Sequence, residues 1–349
     1  MGNENPTRVA VIGTGSFGRN HLRVYRKLES TGSALLTAAV DADPIRAKAV
    51  TAEYGIPTFT TVDDLLAADL GITAASVCVP TLHHGSVGRQ LLAAGIDILV
   101  EKPIASSLAD ADALIAAAST HGRILQVGHL ERFNPAVTAV YPHLQKPLFF
   151  EAHRLSIFTP RSLDVDVVLD LMIHDLDIVL SFVQSPVTDV RAVGLPVLSN
   201  KTDIANVRVE FASGCVANFT ASRVSVERVR KMRFFQTRQY LAIDFANQDL
   251  QFIDVSGAAS LTPAQMAALA SAESGTHPSA GLSLLKLPVE SNEPLILELE
   301  SFVQSSRTRT PPRVTGEQAR TALALALDIN TKIAEHAAFS GLDHFTKKR

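Results

Sequence analysis

Over the first 128 residues, short apolar runs alternate with longer amphipathic ones. The runs at 8–12, 34–40, 74–79, 97–100 and 123–127 are nearly devoid of polar residues, as expected of strands buried on both faces of a parallel sheet. Between them, 16–30, 43–54, 62–68, 84–94 and 107–121 carry apolar residues at helical spacing and predict helices. Pro44 suits a first helical turn, and Thr61-Val62-Asp63-Asp64 suits a helix cap. Strands and helices joined by short links predict a doubly wound α/β domain with right-handed crossovers.

Beyond residue 128 the pattern changes. A strand is expected at 149–157, and 165–183 is apolar nearly all round, as a buried helix must be. Alternating segments near 188–198, 203–212, 215–224, 229–238, 240–245 and 249–255, separated by turn-forming residues, predict a largely antiparallel sheet. The Ala-, Ser- and Gly-rich stretch 256–285 reads as irregular or partly helical. An amphipathic helix follows at 293–305, Pro311-Pro312 breaks the chain, and 315–338 forms a closing helix whose Thr315-Gly316-Glu317-Gln318 approximates a capping box. The expected domains are therefore 1–128 and 129–349, an N-terminal dinucleotide-type α/β domain and a C-terminal α+β domain, with helix 315–338 packing back toward the first.

Composition narrows the function. The 349 residues carry a formal net charge of −3, with 46% hydrophobic and 19% charged residues, so no basic surplus favours nucleic acid or an anionic membrane. No apolar run approaches the length of a membrane span, and the first residues lack a basic segment followed by an apolar core, so a cytoplasmic protein is expected. Cys78 and Cys215 sit in apolar strand patterns and read as buried thiols.

The chemistry begins where the first strand meets Gly13-Thr14-Gly15-Ser16-Phe17-Gly18. Glycine at 13 permits the tight turn, at 15 the approach of a pyrophosphate, and at 18 close packing of helix on sheet, with the helix N-terminus facing the anion. Asp41 closes the second strand, placed to accept hydrogen bonds from ribose hydroxyls and to repel a 2′-phosphate. NAD is expected over NADP. Two more strand ends lie on the same side of such a sheet. One brings Pro80, Thr81 and His84, with Thr81 bonding cofactor or capping a helix, and His84 lining the nicotinamide pocket or merely starting a helix. The other runs into Glu101-Lys102-Pro103, which displays a lysine at the rim. In 165–183, Asp170, His174 and Asp177 share one helical face at i, i+4 and i+7. That stripe fits catalysis, a satisfied core pair, or metal ligation with Glu101. Arg223, Arg228, Arg230, Lys231, Arg233 and Arg238 cluster on two strands, as a solvated or interface face or as a diphosphate site.

The glycine turn, Glu101-Lys102-Pro103 and Asp170-x-x-x-His174 together resemble the glucose–fructose oxidoreductase / inositol dehydrogenase / MocA family over nearly the whole chain. Gly-His-Leu-Glu-Arg-Phe-Asn-Pro at 128–135 and the run 168–177 are most similar to its bacterial UDP-N-acetylglucosamine 3-dehydrogenases, although Met172 stands where many members have glycine. The resemblance implies NAD-dependent oxidation of a sugar secondary alcohol, the 3-hydroxyl of UDP-N-acetylglucosamine for lipid A synthesis. It implies Lys102 and His174 as joint base, with Asp170 holding substrate or fixing the histidine tautomer. Arg132, Asn134, Arg154 and Arg161 would then bind substrate, the arginines by gripping the diphosphate. A homodimer or homotetramer built through the C-terminal sheet is also implied. A free-sugar or inositol dehydrogenase, an NAD-dependent glycosidase and a non-catalytic NAD(H) sensor are the other readings.

Overall fold

The computed structural model describes residues 6–158, 165–254, 262 and 283–341. They fall into two compact units, 1–133 with 292–324, and 134–291 with 325–349. Residues 292–324, expected in the second domain, pack in the first.

The first unit holds β1 (Thr7–Ile12), α1 (Ser16–Glu29), β2 (Ala34–Val40), α2 (Pro44–Tyr54), β3 (Thr58–Phe59), α3 (Val62–Ala67), β4 (Ala74–Val77), α4 (His84–Ala93), β5 (Asp97–Glu101), α5 (Leu108–Thr120) and β6 (Leu125–Gly128). The strands are parallel in the order β3-β2-β1-β4-β5-β6, whose direction of winding reverses between β1 and β4. Ligands bind such sheets at the carboxyl ends around that reversal. The caps follow the sequence: Asp43 and Thr61 accept backbone N–H groups at the starts of α2 and α3, and Pro44 opens α2.

A parallel sheet must be covered on both faces, and a distant segment completes one cover. Leu295, Leu299, Phe302 and Val303 join Val9, Val11, Leu22, Tyr25, Leu36 and Leu99 in one buried cluster. The amide of Val127 also donates to the carbonyl of Val314 at 3.1 Å, so the chain after that segment lies along the β6 edge.

In the second unit, α6 (Pro135–Val140) precedes β7 (Pro147–Ile157) and α7 (Ile173–Val183), followed by β8 (Val187–Leu195), β9 (Ile204–Phe211), β10 (Val216–Ser225), β11 (Val229–Gln236), β12 (Gln239–Asp244), β13 (Asp249–Asp254) and β14 (Ser283–Leu287). Their order is β14-β13-β12-β11-β7-β10-β9-β8, antiparallel except where β7 pairs with β10. Alternation along β7 turns Phe150, Ala152 and Arg154 inward and leaves Glu151 and His153 on the open face. Phe182 of α7 packs on Phe150 and Phe234, with ring centroids 6.4 and 5.8 Å away, and so covers the inner face. Helix α8 (Pro294–Thr308) supplies the residues added to the first unit. Helix α9 (Gly316–Phe339) contributes to both units, dividing after Ala324. Its capping box forms, Thr315 Oγ1 accepting from the Gln318 amide at 3.3 Å and Gln318 Oε1 from the Thr315 amide at 3.2 Å.

Candidate active site

The turn after β1 is built as its glycines require. Gly13 has φ +89°, and a Cβ there would lie 2.8 Å from the backbone of Cys78. At Gly18 a Cβ would lie 1.9 Å from the Gly13 carbonyl oxygen, whereas at Gly15 it would meet nothing within 4 Å. Gly15 is therefore open without needing to be, as far as this chain is concerned. That open space adjoins the first turn of α1, whose N–H groups have no partner within the helix, the kind of place where an anion such as a pyrophosphate is received. Ser16 and Phe17 are exposed in that turn. The adjoining cleft, about 760 Å³, is lined by Gly13, Gly15, Asp41, Arg46, Thr61, Pro80 and His83 among others.

Asp41 sits at the end of β2 as expected, but its carboxylate is already engaged. Thr14 donates its amide and hydroxyl to Oδ2 at 2.9 and 2.6 Å, the Asp43 amide donates to Oδ1 at 2.9 Å, and Arg46 Nη2 reaches Oδ1 at 3.1 Å. Burial alone would push its pKa up; the hydrogen bonds from Arg46, Thr14 and Asp43 outweigh it and hold the carboxyl at about 2. Arg46 was missed in the sequence. Its position five residues after the strand-end acid, in the first turn of α2, was the available signal.

At the next strand ends the expected roles change. Thr81 opens a short 3₁₀ turn, Thr81–His83, and neither that turn nor α4 takes a side-chain cap, so Thr81 caps no helix. His84 is buried, with Nδ1 2.9 Å from the Pro103 carbonyl and Nε2 2.9 Å from the Val79 carbonyl. Burial lowers its pKa while the two carbonyls favour a proton on each nitrogen. Its ring thus ties the loop after β4 to the loop after β5, which contains the cis Lys102–Pro103 bond. Glu101 also points inward: Oε1 is 3.0 Å from Nε2 of the buried His21, and Oε2 accepts the Lys102 amide at 3.3 Å. Gly128, paired with Glu101 in register, leaves room for this carboxylate, since a Cβ there would stand 2.8 Å from Oε1. Lys102 is half-buried at the carboxyl end of β5.

The expected continuous helix over 165–183 instead starts with a π-helical segment, Val168–Met172, and becomes α-helical at Ile173. Asp166 Oδ1 accepts the amides of Val168 and Leu169, both at 3.0 Å, and so sets its start. Asp170 lies in that wider turn, and His174 and Asp177 lie in the α-helix that continues it. Asp170 and His174 are half-buried and Asp177 is buried. Beside them is Asp175, which the sequence reading passed over. It receives Arg154 through Nε at 3.0 Å and Nη2 at 2.7 Å, and the guanidinium lies 5.2 Å from the Phe245 ring centroid. Arg154, expected on a substrate diphosphate, is thus a buried partner of α7. Asn134 likewise caps α6 through the Ala136 amide at 3.1 Å and donates to the Phe245 carbonyl at 2.9 Å. Arg132 is buried in the first unit, and Arg161 lies outside the described residues. Of the arginine cluster, Arg223 is buried against Asp203 at 2.8 Å, while Arg233 meets Glu151 on the open face.

Comparison with known proteins agrees with this fold. The model of the oxidoreductase family with an NAD-binding Rossmann fold matches residues 7–129, and that of the GFO/IDH/MocA C-terminal domain matches 137–242. UDP-N-acetylglucosamine 3-dehydrogenase of Acidithiobacillus ferrooxidans is 34% identical over 93% of this chain and 97% of its own. Its solved structure superposes with a TM-score of 0.82 at 33% identity, over 93% of this chain and 97% of that one. The NAD⁺-dependent scyllo-inositol 2-dehydrogenase of Bacillus subtilis is 28% identical over 64% of this chain and 69% of its own. The chain is an oxidoreductase belonging to the Gfo/Idh/MocA family.

Proposed function

We propose that the protein oxidises the 3-hydroxyl of UDP-N-acetylglucosamine with NAD, giving the 3-keto sugar nucleotide from which 3-amino sugars for lipid A are made. The observation that carries this reading is the 34% identity to a UDP-N-acetylglucosamine 3-dehydrogenase across nearly the full length of both chains. NAD supplies a ring carbon that accepts the hydride leaving the alcohol carbon. The chain's part is to bind, orient and take the hydroxyl proton. Gly15 and the first turn of α1 hold the pyrophosphate, and Asp41 accepts from the ribose hydroxyls, Arg46 giving way. Lys102 and His174 share the proton. An ordinary lysine is about three pK units too basic for this at neutral pH, and a cationic ring bound beside it would disfavour its ammonium form. Asp170 orients the histidine or the substrate. The π-helical segment at Val168–Met172 supports a functional role for this region, because such segments gather at functional sites. The enzyme works in the cytoplasm as a homo-oligomer paired through the open face of the eight-stranded sheet.

Oxidation of a secondary alcohol by NAD is uphill near neutral pH, so the test couples the reaction. Purified protein is incubated with NAD, UDP-N-acetylglucosamine, an aminotransferase and glutamate. The expected result is NADH together with a 3-amino sugar nucleotide, both lost in Lys102→Ala and His174→Ala. Tight NAD binding without product would overturn the substrate assignment. The second reading, oxidation of a free sugar or inositol, is favoured by the 28% identity to the B. subtilis inositol dehydrogenase.

A further inference from the structure

Between α1, α8 and the sheet of the first unit lies a buried polar layer that the proposed chemistry leaves unused. Glu298 of α8 has no solvent exposure, and neither carboxyl oxygen has a hydrogen-bond partner among the described residues. Its surroundings are apolar, with Leu295, Leu299 and Phe302 on the same helix in the buried cluster. Two further buried atoms in this layer lack partners among the described residues, His21 Nδ1 and Gln126 Oε1. Gln126 lies against Glu298, since its Nε2 donates to the Glu298 carbonyl at 3.2 Å.

No described hydrogen-bond donor, the buried Arg132 of the 130–133 turn packed against α8 included, reaches either carboxyl oxygen of Glu298, and the titratable groups that interact with it are Glu101, Cys78 and Tyr25. Glu101 comes from β5, Cys78 from the end of β4, and Tyr25 from α1. His21, also on α1, already faces Glu101. A buried carboxylate without a cation or donor is far costlier than the neutral acid. We propose that Glu298 carries a proton in the working enzyme and thereby positions the Glu101–Lys102 turn. Glu101 is the link. One of its oxygens faces His21 and the other holds the Lys102 amide, so whatever displaces this carboxylate moves the backbone that presents the lysine. Among the described residues, Glu101 is the carboxyl group that bears on Glu298. Ionisation of Glu298 adds a second negative charge beside it, with no partner, and the two repel. Burial first, and then the charge of Glu101, raise the pKa of Glu298 well above the ordinary carboxylate value, in agreement with this arrangement. Glu298 is thus a positioning residue that acts through Glu101, and its activity readout rests on Lys102 being part of the base.

Glu298→Gln keeps the shape of the neutral acid and cannot ionise. Its kcat/KM at neutral pH is expected to match that of the parent, with the alkaline fall in activity moved upward by about one pH unit or more. Glu298→Leu replaces the polar group beside Glu101 with a branched apolar one of different shape, and should lower kcat about tenfold while cofactor affinity stays. A readout that needs no substrate separates this proposal from the choice of sugar. The infrared carbonyl stretch of a protonated carboxylic acid is expected at about pH 8 in the parent and absent in Glu298→Gln and Glu298→Leu. The proposal is overturned if that band is missing in the parent. It is equally overturned if Glu298→Gln keeps the parental alkaline limb or is as impaired as Glu298→Leu.

Discussion

Gly15→Ala and Gly18→Ala should fail in opposite ways, although both alter one motif. At Gly18 the added Cβ would stand 1.9 Å from the Gly13 carbonyl oxygen and 2.9 Å from its carbon, against 3.4 Å where ordinary contact begins. Both obstructing atoms are backbone, so α1 must withdraw by about 1.5 Å at its first turn, and the packing of His21, Leu22 and Tyr25 moves with it. Overpacking of this kind costs about 1–3 kcal/mol, and a clash against backbone belongs at the upper end. For a unit of this size that lowers Tm by about 5–10 °C. Gly15 is different: nothing lies within 4 Å, and its φ of −63° and ψ of −167° suit any L-residue. Alanine there should leave Tm unchanged or raise stability by about 0.5 kcal/mol through the unfolded chain. What it blocks is the approach of the pyrophosphate, so NAD affinity should fall tenfold or more, on the order of 1.4 kcal/mol. Thermal melts without ligand, and calorimetric NAD titrations, read the two effects separately. Parental NAD affinity in Gly15→Ala, or a parental melt in Gly18→Ala, would refute the reasoning.

Arg46→Ala should uncover the Asp41 carboxylate and weaken NADP binding about tenfold relative to NAD, because the guanidinium that would balance a 2′-phosphate is gone; an equal change for both cofactors counts against it. Arg154→Met should destabilise the protein by about 3–5 kcal/mol, since it takes from the buried Asp175 the guanidinium that faces it, and Arg154→Met with Asp175→Leu should recover most of that. Denaturant titrations decide, and a changed KM with unaltered stability would return Arg154 to the substrate. Asp41 has a folded pKa of about 2 against an ordinary 3.8, so its contribution is present above pH 4 and lost as pH falls toward 2. Asp41→Asn should remove about 1–2 kcal/mol of stability at neutral pH and flatten that acid limb, which melts between pH 2 and 5 would show.

The parallel strands, the glycine turn and the acid closing β2 were legible because each is a local constraint. A strand buried on both faces must read as an apolar run, and only glycine takes φ +89° at 13 or tolerates a backbone oxygen 1.9 Å from its Cβ position at 18. The capping box at Thr315 and Gln318 was readable for the same reason, its partners lying within one turn. Side-chain partnership across the fold was not. Helical spacing marked 165–183 as one buried helix, but a π-helical segment has the same composition as an α-helix, so the sequence carries no sign of the wider turn at 168–172. Period-two alternation shows that Arg154 of β7 points inward; that it meets Asp175 depends on how α7 lies on the sheet. The same holds for His84 against two carbonyls and for Arg46 over Asp41. Glu298 is the extreme case: α8 reads as an ordinary amphipathic helix, and only its return over the first sheet, nearly 200 residues after Glu101, sets the two carboxyls near each other. The sequence by itself determined most of the elements and the glycine turn that opens the first of them, because those follow from short-range sterics and periodicity. The tertiary structure alone decided which buried charges meet, because that depends on packing between segments far apart in the chain.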